Sequence, residues 1–345
     1  MSQLRWALVG FDHHYTALNM LKQAGSLEPK LTSVWHSHEG RLLEATKDMD
    51  VNVLDSWERA VEDPEIDIIV SCSNTALNQV ILAEAMRNKK HCISVKPMAM
   101  TVAAATELAT LAEQNGVVLF SFESSGRLAG VNKRVLELIN DGTIGKVLGV
   151  TGIAHSRLPK AWPDGTLIGG DMTDGIGPGW WENPELVPGG GWIDHAIYQT
   201  DLTRWWTGTD VVKATGYMAN IKHPKSRLED YGTGVLEFAS GAIANLEHTW
   251  HVRRLGPGSS YLEILGENGA VVIQGFLDKL AVTEKNGHGW TYEELPKDRG
   301  SIVDHVAHVI QGKAELVANG VDAMKNLAGC LAAYESAKLG QTVKL

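Results

Sequence analysis

The sequence predicts an α/β protein in two parts, and three observations carry that expectation. From Leu4 to Phe122, short apolar runs alternate with amphipathic stretches, the rhythm of a parallel sheet with helices on both faces. Beyond that point, alternating strands separated by turn residues take over. At 345 residues the chain exceeds one typical domain, so two are expected.

Composition narrows the function. The chain is 44% hydrophobic and 21% charged, an ordinary globular balance. A formal net charge of -10 without a basic patch argues against nucleic acid as a partner and against an anionic membrane surface. No apolar run is long enough to span a bilayer, and the start, MSQLRWALVG, lacks the apolar stretch and cleavage site of a signal peptide. Cys72, Cys92 and Cys330 are widely spaced and odd in number. They suit buried free thiols in a reducing cytoplasm, with no disulfide framework and no metal motif.

The elements follow in order. Leu4–Val9 is an apolar strand closed by Gly10, and Thr16–Gln23 has helical spacing. Strands are expected at Leu31–His36, Ile66–Ser71, His91–Val95 and Val117–Phe122. Trp57–Val61 reads as a helix, and Leu77, Val80, Ile81 and Ala85 mark one face of another. Thr101 suits the N-cap of a further helix, with Gly116 as its stop. Sheets of this kind bind ligands beyond the carboxyl ends of their strands, so the loops beginning at Gly10, His36, Ser71, Val95 and Phe122 hold the candidates.

The first loop, Gly10-Phe11-Asp12-His13-His14-Tyr15, keeps one glycine of the dinucleotide fingerprint G-x-G-x-x-G. Asp12 places negative charge where a pyrophosphate would approach, while the following helix start, His13 and His14 offer donors. The second loop carries His36-Ser37-His38 in place of a ribose-binding acid, with Arg41 one turn on. Without that acid a 2'-phosphate is not repelled, and Ser37, Arg41 and His36 can hold it; NADP is therefore expected over NAD. Ser71, Ser73 and Asn74 in the third loop suit ribose and phosphate contacts, or an ordinary turn. In the fourth, Pro97 biases Lys96 toward an extended backbone at a strand's carboxyl end. A lysine there can polarise a substrate oxygen.

Further on, Gly189 to Asp201 reads GGGWIDHAIYQTD. If helical from Ile193, it stacks Asp194 and Tyr198 on one face, four residues apart. An acid and a phenol so placed can act as orienter and proton carrier; they equally suit a helix start with a core tyrosine. Between Arg157 and Gly191 glycine and proline are dense, and Trp162, Trp180, Trp181 and Trp192 cluster. Such rings pack against sugar C–H faces, or fill a core or interface. Arg127 can reach cofactor or substrate, or form a salt bridge.

The remaining strands are expected over Val147–Ser156, within Val211–Phe238, and over Ala242–Trp250. Ser240-Gly241, Glu267-Asn268-Gly269 and Asn286-Gly287 mark turns. His248 and His251, three apart on a strand, point to opposite faces and cannot form a metal pair. Ser301 suits a helix cap through Asp304, with His305 and His308 on the surface. Asp322–Lys338 is a closing helix ended by Gly340. A broad sheet leaves one face to be covered, and self-association is expected there.

Five stretches resemble the family of glucose–fructose oxidoreductase, inositol dehydrogenase and the rhizopine catabolism protein. Lys96-Pro97 within HCISVKPMAMT is similar to its E-K-P signature, with Val95 for the glutamate. INDGTIGKVLGV, LEILGENGAVVI and the closing AAYESAKLGQTVKL also match, and GGGWIDHAIYQTD resembles its G-G-G-x-x-x-D-x-G-x-H-x-x-D signature. The resemblance implies a Rossmann domain over residues 1–123 and, over 124–345, a substrate-binding α/β domain with a large, mostly antiparallel sheet. It implies a nicotinamide cofactor and a sugar or polyol substrate. By the same comparison Lys96 falls on the catalytic lysine, Asp194 on the substrate-binding aspartate, and Tyr198 on a position where some branches use tyrosine as the acid/base. His195 is an additional donor and a rival for that role.

The expected activity is hydride transfer between NADP or NAD and a secondary alcohol of a sugar, polyol or sugar acid. The residues expected at the substrate are Lys96, Arg127, Trp162, Trp181, Asp194 and His195. Two alternatives stand beside it: a redox-neutral lyase, hydrolase or epimerase with a tightly held cofactor, and a sugar-binding homologue without one. A homodimer or homotetramer through the second-domain sheet is expected.

Overall fold

The computed structural model describes residues 3–37, 39–156, 158, 160–161, 177–178, 180–251, 260–274, 279–284, 287, 289–294 and 300–345. The chain divides into two compact units: residues 1–123 with 159–188 and 301–324, and residues 124–158 with 189–300 and 325–345. Two later segments thus cluster with the first unit rather than following a single cut at residue 123. Trp162 and Asn286 lie outside the described residues.

The first unit is built on strands β1 (Arg5–Val9), β2 (Lys30–Trp35), β3 (Asn52–Val53), β4 (Ile68–Ser71), β5 (His91–Ser94) and β6 (Leu119–Ser121). They form one sheet in the order β3-β2-β1-β4-β5-β6, with every pairing parallel. β4, read IIVS, is buried at all four positions, as a strand covered on both faces must be. Helices α1 (His14–Gln23), α2 (Glu39–Thr46), α3 (Trp57–Glu62), α4 (Thr75–Arg87) and α5 (Val102–Asn115) alternate with the strands. Thr101 caps α5 by accepting from Ala104 N at 3.1 Å, and Gly116 ends it with φ +64°. α2 and β3 are too short and polar for sequence periodicity to reveal them. The strand order reverses between β1 and β4, so the loops after these two strands flank the crevice where such sheets take ligands.

The second unit starts with α6 (Gly130–Asn140) and β7 (Val147–His155). The short β8 (Lys160–Ala161) and β9 (Gly177–Pro178) pair with each other in the first unit. Next come α7 (Gly191–Thr207), β10 (Val211–Ala219), β11 (Tyr231–Phe238), β12 (Ile243–Thr249), β13 (Ser260–Gly266), β14 (Gly269–Gln274), β15 (Lys279–Glu284) and β16 (Thr291–Glu294). α8 (Ile302–Ile310), α9 (Gly320–Leu339) and β17 (Val343–Lys344) close the chain. Nine strands form a sheet in the order β16-β15-β14-β13-β7-β12-β11-β10-β17, parallel between β7 and β12 and antiparallel elsewhere.

α7 lies on one face of this sheet, against β7, β11 and β12. Glycine in β11 makes the approach possible: a Cβ at Gly232 or Gly234 would come within 2.4 or 2.6 Å of Trp192. The α8 histidines are not simple surface residues. His308 pairs with Glu28 at 2.9 Å, and His305 stands edge-on to Phe120 with centroids 5.8 Å apart.

The middle of α7 is tied down by Asp201, which is fully buried. Its carboxylate accepts from Arg127 Nε at 2.9 Å and Nη2 at 2.7 Å, from Ser124 Oγ at 2.8 Å and from Asn326 Nδ2 at 2.8 Å. Arg127 thus forms a buried, forked ion pair with Asp201. The salt-bridge reading of Arg127 holds. Breaking a buried pair strands the remaining charge. Asp201→Ala is expected to cost about 3–5 kcal/mol of stability, read by denaturant unfolding; a loss under about 1 kcal/mol would show that the guanidinium finds another partner.

Candidate functional site

In the first unit, the loops after β1 and β4 are stitched together. Gly10 has φ +81°, and a Cβ there would lie 2.0 Å from Ser73 Oγ, so both conformation and contact demand glycine. Asp12 accepts from Asn74 N at 2.8 Å and Nδ2 at 3.1 Å. The carboxylate expected to repel phosphate therefore braces the neighbouring loop. Asn74 in turn caps α4 by accepting from Leu77 N at 3.1 Å. His36 is buried, and its Nδ1 accepts from Phe11 N at 3.3 Å. It ties β2 to the first loop; Ser37 beside it is exposed. The side chains of His14 and Arg41 lie outside the described residues.

The residues present fit a dinucleotide. His13, the N-cap of α1, makes no side-chain cap, and its Nδ1 instead pairs with Thr16 Oγ1 at 2.9 Å. An uncapped helix start is an anion site in waiting. Around it, the buried hydroxyls of Ser71, Ser73 and Thr75 have no hydrogen-bond partner among the described residues. Cys72, between them, is no nucleophile: burial, then the charge of Asp12, push its thiol up.

Lys96 follows β5, is 1% exposed and is joined to Pro97 by a cis bond. Its Nζ lies 5.0 Å from the centroid of the Trp181 ring, an attraction between ammonium and π-face. Trp181 stacks on Trp180 at 3.9 Å and meets His13 edge-on at 4.9 Å, while Trp180 Nε1 donates to the Asp12 carbonyl at 2.8 Å. Trp181 is 3% exposed.

In the second unit, the three glycines before α7 answer a steric demand. A Cβ at Gly189 would lie 2.1 Å from Tyr334 Oη, and one at Gly190 would lie 2.2 Å from the Glu229 carbonyl. On α7 itself, Asp194 is 5% exposed. Its Oδ2 accepts from Trp250 Nε1 at 2.9 Å and sits 3.2 Å from His195 Nδ1. His195 is half-buried and lies parallel to His248, centroids 6.2 Å apart. Tyr198 is half-buried one turn along. The unit therefore gathers a fixed carboxylate and an imidazole beside it, with a phenol on the same helix.

His248 lies on β12, and its ring is also tilted against Trp192 at 5.6 Å. It is fully buried, with neither ring nitrogen hydrogen-bonded among the described residues. His251 is past the strand, where its Nε2 meets Asp230 at 3.0 Å; the two histidines do not share one strand. Sequence reasoning passed over Glu229, Asp230, Trp250 and Tyr334. Glu229 and Tyr334 stand 39 and 144 residues from Gly190, and no local periodicity joins them to it.

Residues 4–123 match the model of an oxidoreductase family with an NAD-binding Rossmann fold, and residues 132–272 match the GFO/IDH/MocA C-terminal domain. The chain belongs to the GFO/IDH/MocA oxidoreductase family. It is 25% identical to 1,5-anhydro-D-fructose reductase of Ensifer adhaerens, over 84% of this chain and 83% of that one. It is 23% identical to the NAD(+) scyllo-inositol 2-dehydrogenase of Bacillus subtilis, over 99% and 96%. The crystal structure of aldose-aldose oxidoreductase from Caulobacter crescentus, complexed with glycerol, superposes with TM-score 0.83 at 23% identity and covers 100% of both chains. The same two-domain architecture is thus shared end to end.

Burial, and next the charge of His195, hold His248 well below its ordinary range; Asp194 pulls the other way and His155 adds to the depression. The unfolded chain takes that proton near pH ~6.5, while the folded chain does not. Stability from this residue is therefore full above that pH and lost as pH falls. His248→Phe, which keeps a ring in place, is expected to lose less Tm than the parent on going from pH about 7 to about 5. Equal losses in a pH series of thermal melts would contradict a neutral, buried His248.

Proposed function

We propose that this protein is an NAD(P)-dependent dehydrogenase acting on a secondary alcohol of a sugar, polyol or sugar acid. The observation that supports it most is Lys96, a buried ammonium at the carboxyl end of a strand in an NAD-binding Rossmann domain. The names of the relatives, a reductase of an anhydro sugar and an inositol dehydrogenase, agree in substrate class.

Bound nicotinamide supplies a hydride acceptor or donor at its ring C4. The chain's own groups do the rest. Gly10, Phe11, Asp12 and His13 with Ser71, Ser73 and Asn74 hold the dinucleotide, through the uncapped start of α1 and the loop hydroxyls and amides. Lys96 Nζ stabilises the oxygen of the reacting carbinol as negative charge builds on it. Tyr198 Oη or His195 Nε2 takes the hydroxyl proton. Asp194, fixed by Trp250, orients a neighbouring hydroxyl. Lys96→Met is expected to lower kcat by about 10²–10³-fold while leaving thermal unfolding near that of the parent. Undiminished turnover would remove Lys96 from the mechanism. Tyr198→Phe against His195→Asn decides between the two proton carriers: the larger loss of kcat marks the acceptor.

The preference for NADP rests on the absence of an acid at His36 and Ser37. Titration of intrinsic tryptophan fluorescence should give a lower Kd for NADPH than for NADH, and tighter NADH binding would reverse the assignment.

We further propose a homodimer or homotetramer formed through the sheet face that carries Tyr217, Val235 and Leu265, exposed at 62%, 41% and 51%. Three buried cysteines, none in a disulfide, suit a cytoplasmic location.

A further inference from the structure

α7 begins without a cap of its own. Gly190, its N-cap, brings no side chain, yet the first amides of any helix need acceptors. Two remote residues provide them. The Glu229 carboxylate accepts from Gly190 N at 2.9 Å and from Trp192 N at 3.0 Å, and the Glu229 carbonyl accepts from Gly191 N at 2.8 Å. Tyr334 Oη accepts from Gly190 N at 3.1 Å and Ile193 N at 3.3 Å, and donates to Glu229 Oε1 at 2.6 Å. All four amides from Gly190 to Ile193 are taken.

The same backbone turn reaches the site by a second route. The carbonyl of Asp230, next in the chain, accepts from Trp250 N at 2.8 Å, and Trp250 Nε1 donates to Asp194 Oδ2 at 2.9 Å. The bonds close a ring: start of α7, Glu229, Asp230, Trp250, Asp194, and back along the helix. A local Ser or Asp cap would satisfy the amides as well, but it would not join them to the strands that hold Trp250. It would also put a Cβ where the Glu229 carbonyl stands.

We infer that Glu229 and Tyr334 are positioning residues for the reaction: by clamping the first turn of α7 they set where Asp194 and His195 present their polar atoms. Ring closure leaves Asp194 no freedom to shift with the helix without breaking a buried bond. This inference rests on the proposed role of Asp194 toward substrate. The buried Glu229 carboxyl, with its Tyr334 partner, is used for geometry and not for proton transfer.

Tyr334→Phe deletes only the hydroxyl, and Glu229→Gln keeps the shape while it removes one acceptor. Misplacement by a fraction of an ångström is felt at the reacting atoms, so kcat is expected to fall about tenfold in Tyr334→Phe with KM for the sugar changed less than kcat. The Kd for NADPH should stay within about twofold, since the cofactor is held by the first unit. In amide hydrogen exchange, the segment from Gly189 to Tyr198 should open faster in Tyr334→Phe while β1 and β4 exchange as before. Asp194→Asn completes a cycle. If the clamp acts through Asp194, the double variant Asp194→Asn with Tyr334→Phe loses little beyond Asp194→Asn alone.

Additive losses, or full kcat in Tyr334→Phe, would overturn the inference. Full turnover in Asp194→Asn would instead remove the reading on which it rests. Should Glu229→Gln fail to fold, Tyr334→Phe carries the test alone.

Discussion

The backbone amides at the start of α7 impose the constraint on which the second unit depends. A helix that starts with glycines has nothing of its own to offer those donors, and a buried, unsatisfied amide costs about 1–3 kcal/mol. The protein meets the demand with a carboxylate and a phenol from Glu229 and Tyr334, 39 and 144 residues from Gly190. Burying that carboxyl raises its pKa, against which the hydroxyl of Tyr334 and the amides of Trp192 and Gly190 pull it down. The three glycines follow as a consequence, because any side chain at 189 or 190 would occupy the space the acceptors need. A local cap would be simpler, but it would leave the helix free to settle independently of β12 and the turn after it, which hold His248 beside His195 and Trp250 against Asp194.

The same economy of remote bonding governs the first unit. A glycine-poor loop following β1 looks unsuited to a dinucleotide when only its own residues are considered. In the folded chain Asp12 is engaged by Asn74, and His36 by the amide of Phe11. Side chains that read as obstacles are struts between loops. The start of α1 has no side-chain cap, and the dipole of that helix favours an anion there. Glycine is still required at Gly10, where φ is positive and Ser73 stands in the way of a Cβ.

Two buried charges show how differently the fold uses them. The Arg127 guanidinium pairs with Asp201 through Nε and Nη2, and Ser124 and Asn326 donate to the same carboxylate. Through Asn326 the same carboxylate also ties α7 to α9. The Lys96 ammonium instead faces an aromatic ring, Trp181. A π-face attracts a cation through its quadrupole.

By itself the sequence determined the alternation of strand and helix, the caps at Thr101 and Ser301, the stops at Gly116 and Gly340, and the family motifs at Lys96-Pro97 and Gly189–Asp201. These are local: periodicity of 2 or about 3.6 residues and turn chemistry act over a few positions and are written in order along the chain. The tertiary structure alone decided that Asp12 and His36 brace loops, that Arg127 pairs with Asp201, and that Trp181 is buried beside Lys96. It likewise decided which acid and which phenol cap α7. Each of those outcomes depends on which residues a sheet register or a helix crossing brings within about 3 Å, the range of a hydrogen bond. Contacts between positions tens of residues apart leave no period behind, so Glu229 and Tyr334 look like any glutamate before a strand and any tyrosine in a closing helix.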